Sequence, residues 1–578
     1  MVRTIVPFRR DVTWTSIAIG FVLTIGALLP APARAQGFGD YPVIYRPAKG
    51  AKDLRAVLFN WTWYMGMLRG VDEHELIASL EYQGRGTMQV DGQPCTLTKY
   101  RVSTSYQTPG QRVQYTCTRP NGQTYSNVEV VSGQYAWNED VAGAEIVPGK
   151  GKSNPMPGAI EERLIRLWAS PQGAPKAAIA GIGPSATPGA NPGTLVQDGA
   201  DKAGATSLAW EGGKPVVTFP IPGVPGAIAT ATLNDKYMAE RVVVKQGSKT
   251  TEFTYGDYQD WNNPLNKVDV LYAGKITERH DGAAVRDVTT VQTETGSVYV
   301  VLPVPASVQA AMHVAAKPAP APAKLEASAD TPRLPNGHPD FSGNWNSNGM
   351  NWRYGNRRCS PTQQEGCSRA LNQTMDFEFE APSRWGPNRP MYKPEFWDKV
   401  QALDMWTNKE DPVMTCQPLG NPRQGPPRRI VQSANDIIFF YGQYADGGGG
   451  NNEFRIIPTD GRKHDDKKAI EATYYGYTVG KWEGDTLVLD SISFVDSTWL
   501  ARGGFFHSDQ MHVIEKLTRQ GNKILYEVTI DDPEVLVEPW VMTPKTLTLA
   551  TYPDAGLISE RANCEVYELK DITSQIRH

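Results

Sequence analysis

Two hydrophobic periods alternate along this chain, and the way they are distributed divides it. Helical spacing occurs twice early. DLRAVLFNWTWYMGM, from Asp53 to Met67, is mostly apolar over helical length, and Ile160, Leu164, Leu167 and Trp168 stand at i, i+4, i+7 and i+8. Elsewhere in the first half the pattern has period two, as half-buried strands require. LEYQGRGTMQV, CTLTKYRVSTSYQ, RVQYTCTRP and TYSNVEVVSGQYAW precede the second helix. KPVVTFPI, AIATATLNDKYMAERVVVK, TTEFTYGDYQDW and DVLYAGKITERHDG follow a Gly/Pro/Ala-rich interval. A helix, antiparallel strands, a helix across one face and further strands predict an α+β layer arrangement.

Past Val314 little apolar periodicity remains. Residues 303–333, PVPASVQAAMHVAAKPAPAPAKLEASADTPR, read as a Pro/Ala-rich, semi-rigid spacer. From residue 334 short strand patterns return: DIIFFYGQ, EFRIIPTD, ATYYGYTVGKWEG, DTLVLDSISF, MHVIEKLTRQ, KILYEVTI, KTLTLATY and CEVYELK, most of them separated by Gly- and Asp-bearing turns. About eight such strands predict an antiparallel barrel or sandwich, and an eight-stranded barrel has room for one small ligand. The chain is therefore expected to be mainly β. An α+β domain would span 36–302 and a β-barrel domain 334–578, joined by the 303–333 spacer.

The element order over roughly residues 50 to 300 resembles lipoprotein-carrier (LolA-type) half-barrels, open curved sheets whose apolar groove is closed by helices. No catalytic residue transfers with that resemblance. Gly343-Asn344-Trp345 resembles the opening signature of lipocalin-like barrels, which implies that Trp345 packs across a closed barrel end. GHPDFSGNW, DGRKH, GKWEGDTLVLDS and HSDQMHVIEK together look like a group of uncharacterised secreted bacterial two-domain proteins, over most of residues 333–578. That likeness supplies a relative and no activity.

Composition changes the picture in three ways. Residues 1–35 carry Arg3, Arg9 and Arg10, an apolar run from Ile17 to Leu29 and then Ala33-Arg34-Ala35, the layout of a cleavable export signal. The run is shorter than a permanent span needs, so a periplasmic or secreted protein with no membrane span after cleavage is expected. A net charge of −4 argues against a nucleic-acid partner. The six cysteines, Cys95, Cys117, Cys359, Cys367, Cys416 and Cys564, read as disulfides in that compartment. Cys95 and Cys117 flank a predicted hairpin turning at Thr108-Pro109-Gly110, where a bridge would contribute on the order of 3 kcal/mol. Cys359 with Cys367, and Cys416 with Cys564, are the pairings expected for the rest, among fifteen that six cysteines allow.

Candidate chemistry concentrates between Gly480 and Arg519. His507, Asp509, His512 and Glu515 lie within nine residues there, and His464 precedes them in an earlier turn. A histidine oriented by a carboxylate can act as a general base near neutral pH, with a second histidine or acid returning the proton. His507, Asp509, His512 and His464 are accordingly the candidate catalytic residues. Arg455, Trp482, Asp496 and Trp499 are the candidate substrate contacts. If Met511 to Leu517 is a strand, His512 and Glu515 face opposite sides of it. Arg428-Arg429, after Gly425-Pro426-Pro427, could hold an anionic group.

No cofactor motif is present, so the leading expectation is an exported enzyme using cofactor-free acid–base chemistry (hydrolysis, hydration or elimination) on a small or amphiphilic substrate in the second domain. Two alternatives stand beside it: a non-catalytic carrier of lipid or another apolar ligand, and a hydrolase holding a divalent metal on the same His/Asp cluster.

Overall fold

The computed structural model describes residues 50–67, 77, 79–106, 109–181, 205–261, 270–296, 298–312, 325, 330–347, 388–403, 411–441, 453–501, 504–542 and 544–551. The expected export signal, Cys359, Cys367, Cys564 and the last strand candidate, CEVYELK, lie outside them.

The chain folds mainly as β-sheet. In the first half β1 (Ser79–Val90), β2 (Gln93–Ser105), β3 (Gly110–Thr118), β4 (Thr124–Ser132), β5 (Tyr135–Glu139) and β6 (Ser153–Pro155) form one meander. A second comprises β7 (Ser207–Glu211), β8 (Lys214–Pro220), β9 (Ile228–Leu233), β10 (Ala239–Gln246) and β11 (Lys249–Gly256). After the short pair β12 (Gln259–Asp260) and β13 (Leu271–Tyr272), β14 (Lys275–His280) and β15 (Ala283–Gly296) join the two. The product is one curved antiparallel sheet of thirteen strands, with β1 against β15 at its middle. A bulge after Gln83 bends this seam. Gly86 has to be glycine there, since a Cβ would lie 1.9 Å from the Asp287 carbonyl oxygen.

Helices pack on this sheet. α1 (Leu54–Tyr64) starts at Asp53, whose carboxylate accepts the Ala56 amide at 2.9 Å. α2 (Ile160–Ala169) is the expected amphipathic helix. α3 (Gly173–Ala180), GAPKAAIA, was hidden in the small-residue interval; its Ala174, Ala177 and Ala178 are fully buried, which lets its backbone approach the sheet closely. Trp61, Trp168, Phe219 and Tyr272 anchor the shared core. Cys95 and Cys117 are bridged across β2 and β3, Cα to Cα 5.5 Å. Cys416 is also disulfide-bonded.

The span expected as a spacer begins differently. Residues 306–312 form a helix, α4 (Ala306–Met312), with Val304, Val308 and Met312 set against Val128, Val130 and Trp137. This i, i+4, i+8 stripe was outweighed in the sequence by the surrounding Pro/Ala composition.

The second half is a nearly closed antiparallel barrel. β16 (Gly343–Ser347), β17 (Arg429–Gln432), β18 (Asp436–Phe440) and β19 (Phe454–Pro458) supply one side. β20 (Tyr477–Glu483) and β21 (Thr486–Ile492) come next, followed by the short pair β22 (Trp499–Ala501) and β23 (Phe505–Phe506). β24 (His512–Gln520), β25 (Lys523–Asp531), β26 (Trp540–Val541) and β27 (Lys545–Leu549) complete it. The order is β19-β18-β17-β16-β27-β25-β24-β21-β20, and the Gly461 amide donates to the Gly480 carbonyl between the two ends. Trp345 is fully buried, with the Arg519 guanidinium 5.0 Å above its ring and its indole N–H donating to the Phe341 carbonyl.

Residues 390–398 connect the halves. The Tyr299 hydroxyl donates to the Pro390 carbonyl and accepts the Tyr392 amide. Arg112 stacks on Trp397 at 4.4 Å, and Arg101 pairs with Asp398 at 2.7 Å.

Candidate functional site

The four expected catalytic residues do not share one site: His512 and His464 meet at Asp490, whereas His507 and Asp509 lie apart from them. His507 follows β23 and is 4% exposed. Its Nδ1 lies 2.8 Å from the Ser508 carbonyl and its Nε2 2.7 Å from the Thr498 hydroxyl. The carbonyl requires a proton on Nδ1, and in the neutral ring Nε2 then accepts from the hydroxyl. Burial holds this imidazole below its ordinary pKa, in keeping with that tautomer. Asp509 is exposed and accepts from the side chain of its neighbour Gln510.

His512 lies on the outer face of the barrel. β24 alternates as its pattern requires: Val513, Glu515 and Leu517 point inward, whereas His512, Ile514 and Lys516 point out. His512 Nε2 meets Asp490 Oδ1 at 2.8 Å, and this hydrogen bond raises the histidine and lowers the carboxyl. His464 joins the same patch, with Nε2 3.1 Å from the carbonyls of Tyr477 and Asp490. No hydrogen bond, ion pair or ring contact links His507 with Asp509, His512 or His464. The expectation of one reactive cluster at the barrel mouth is corrected accordingly. Residues near in sequence are separated because a strand sends neighbours to opposite faces and the preceding loop buries His507 against Phe494.

Three of the four expected substrate contacts are also committed elsewhere. Arg455 is buried and forks onto Glu515, both N···O distances 2.8 Å, while its Nε donates to the Tyr441 hydroxyl at 2.7 Å. Glu515 accepts further from Tyr526 (2.7 Å) and Asn421 (3.0 Å). This network is buried inside the barrel, and neither partner is left for a ligand. Trp482 stacks on His338 at 4.3 Å and on Phe341, Trp499 is buried in the core, and Asp496 is exposed. Arg428 and Arg429 are exposed at the start of β17.

A groove lies in the other half. It has a volume of about 570 Å³ and runs along α2 at one end of the curved sheet. Ile160, Leu164 and Trp168 form its floor, one stripe at i, i+4 and i+8. One wall comes from the turns before β3 and β5, at Pro109, Gly133 and Gln134, and the opposite wall from Pro222 and Gly223 between β8 and β9. Pro157 and Gly158, in the turn that starts α2, complete the lining with Glu161. This volume lies within the roughly 300–1,000 Å³ typical of small-molecule sites. The stripe was legible in the sequence as an amphipathic helix. The walls were not, because they come from four connections far apart in the chain.

Beneath α2, on the concave face of the sheet, is a second buried charge centre. Arg166 pairs with Glu129 (3.1 Å), Glu162 (2.8 Å) and Glu278 (3.4 Å), and Arg286 with Glu129 (3.2 Å). Burial pushes the Glu129 carboxyl up, but Arg286, Arg166 and Arg163 outweigh it and bring it down to about 2. Glu162, Glu278 and His280 place ligand atoms within 4.8 Å of one another, the one group in the described residues with metal-site spacing. Arg166 already donates to both of those glutamates, so a permanent cation stands where a metal would have to bind. The void beside this centre, about 30 Å³, is far too small for an organic ligand.

Compared with known proteins, the chain matches no family model and no curated protein.

Proposed function

We propose that this protein is an exported binding or carrier protein for a small amphiphilic ligand, held in the α2 groove of the first half. The observation that carries this reading is the groove itself: a ligand-sized concavity with a floor of Ile160, Leu164 and Trp168 and mostly apolar walls. Burying an apolar chain there contributes on the order of 25 cal/mol per Å² removed from water. The Cys95–Cys117 bridge supports export to an oxidising compartment, as does the pattern of residues 1–35. Acid–base catalysis at His507, Asp509 and His512 is the weaker reading, because the three side chains lie in three separate environments. The second half then serves as a rigid companion through residues 390–398.

Native mass spectrometry of protein purified without detergent, read beside a Gly158→Trp variant, tests this. Gly158 lines the groove and an added Cβ there meets nothing within 4 Å, so a larger side chain starts into open space at the groove's edge. Apolar ligand bound to the wild type and missing from the variant is the expected result. Wild-type protein that carries no lipid and takes up no fluorescent fatty-chain probe would end the carrier reading.

A further inference from the structure

Among the described residues the groove carries a single charged lining residue, Glu161, and its position bears on which polar end the ligand can have. Glu161 lies in the first turn of α2, where the helix dipole favours a carboxylate. One of its oxygens accepts from Gln246 Nε2 at 3.0 Å, and the same amide reaches the Pro225 carbonyl at 3.4 Å, which ties α2 to the wall between β8 and β9. Among the described residues, no cation lines the groove to offset Glu161. Arg163 and Arg166, the two arginines of α2, turn away from it. Arg163 donates to the carbonyls of Val130 and Trp137, and Arg166 is spent on Glu129, Glu162 and Glu278. Among the described residues, the other polar side-chain groups in the lining are the Gln134 amide and the Trp168 indole N–H, neither of them charged.

We infer that Glu161 is a specificity-determining residue, selecting amphiphiles whose polar end donates a hydrogen bond, a hydroxyl or an ammonium, over those ending in a carboxylate or phosphate. This rests on the groove being the ligand site. The donor end bonds the free lone pairs of Glu161, whereas an anionic end meets like charge with nothing to neutralise it. Like charges about 4 Å apart repel even at this exposed position, so discrimination of at least about fivefold is expected.

The test is displacement of a fluorescent fatty-chain probe by myristyl alcohol and by myristate, near neutral pH, on wild type and Glu161→Gln. In the wild type the alcohol should bind at least about fivefold more tightly than the carboxylate. Glu161→Gln should bring the two within a few-fold by strengthening myristate binding, a gain of function that a damaged fold does not produce. Glu161→Lys should reverse the order. Equal binding of both to the wild type, or an unchanged preference in Glu161→Gln, overturns the inference and leaves the groove as a ligand site. Failure of the probe and both competitors to bind either protein overturns the groove reading, and this inference with it.

Discussion

Both halves of the molecule bury arginine and glutamate beneath an antiparallel sheet, and they do so in opposite ways. In the barrel one Arg455 meets one Glu515 in a two-pronged pair, and Tyr441, Tyr526 and Asn421 take up the remaining hydrogen bonds. On the curved sheet the charges are shared, with Arg166 and Arg286 distributed among Glu129, Glu162 and Glu278. Arg286 Nε has no hydrogen bond there, and its Nη1 stands 3.7 Å from Glu278. A nearly closed sheet surrounds its interior with side chains, so a buried pair must be complete in itself. An open sheet needs helices to cover it. The cover on this sheet leaves a groove along α2, and redundancy among several charges tolerates the less regular packing.

The contrast can be broken most sharply at Arg455. Arg455→Leu strands a buried Glu515 and should cost about 3–5 kcal/mol, read as a lowered denaturation midpoint. Arg455→Leu with Glu515→Leu should recover most of that loss. A single variant no less stable than wild type would show that the pair is not the keystone of the barrel.

Glu278→Gln is the matching change in the first half. Arg166 and Arg286 both retain Glu129, so a loss of about 1–3 kcal/mol is expected. A loss as large as that of Arg455→Leu would dissolve the distinction between paired and shared charge. Acid should find the same centre. Glu129 is ordinarily near 4.5 and lies at about 2 in the fold, so its contribution is complete above 4.5 and lost as pH falls through that window. Acid unfolding followed by near-ultraviolet circular dichroism measures this.

Gly158→Trp should leave stability within about 0.5 kcal/mol of wild type and lower ligand affinity more than tenfold, a separation of fold from site that the barrel interior does not permit.

The smallest effects concern the histidines, and they have opposite signs. His512 is raised by Asp490, so its contribution is complete below 6.5 and fades as pH rises through its higher folded value. His507 is lowered by burial, so it opposes folding as pH falls below 6.5 and the unfolded chain takes up the proton. Imidazole proton shifts in the two single His→Ala backgrounds should assign one titration to each side of 6.5. Two coincident titrations would contradict both environments.

Much of the architecture was legible in the chain. The period-two runs located most of the strands, the β2–β3 hairpin placed the Cys95–Cys117 bridge, and the parity of β24 set His512 and Glu515 on opposite faces. α3 and α4 were missed because small residues and prolines dilute the apolar signal there. The candidate site was the least legible part. Local crowding of His507, Asp509 and His512 drew attention to one loop, yet proximity along a strand says little about convergence in space.

What the sequence determined by itself was local: which segments are strands, which stripe of α2 is apolar, which residues of β24 share a face. These follow from periods of two and 3.6, which nearby residues settle among themselves. Only the tertiary structure decided that Arg455 finds Glu515 across 60 positions, and that Pro109, Gly133, Pro157 and Gly223 converge on that stripe to make a groove. Such meetings depend on strand order and sheet closure, which join segments whose patterns carry no reference to one another.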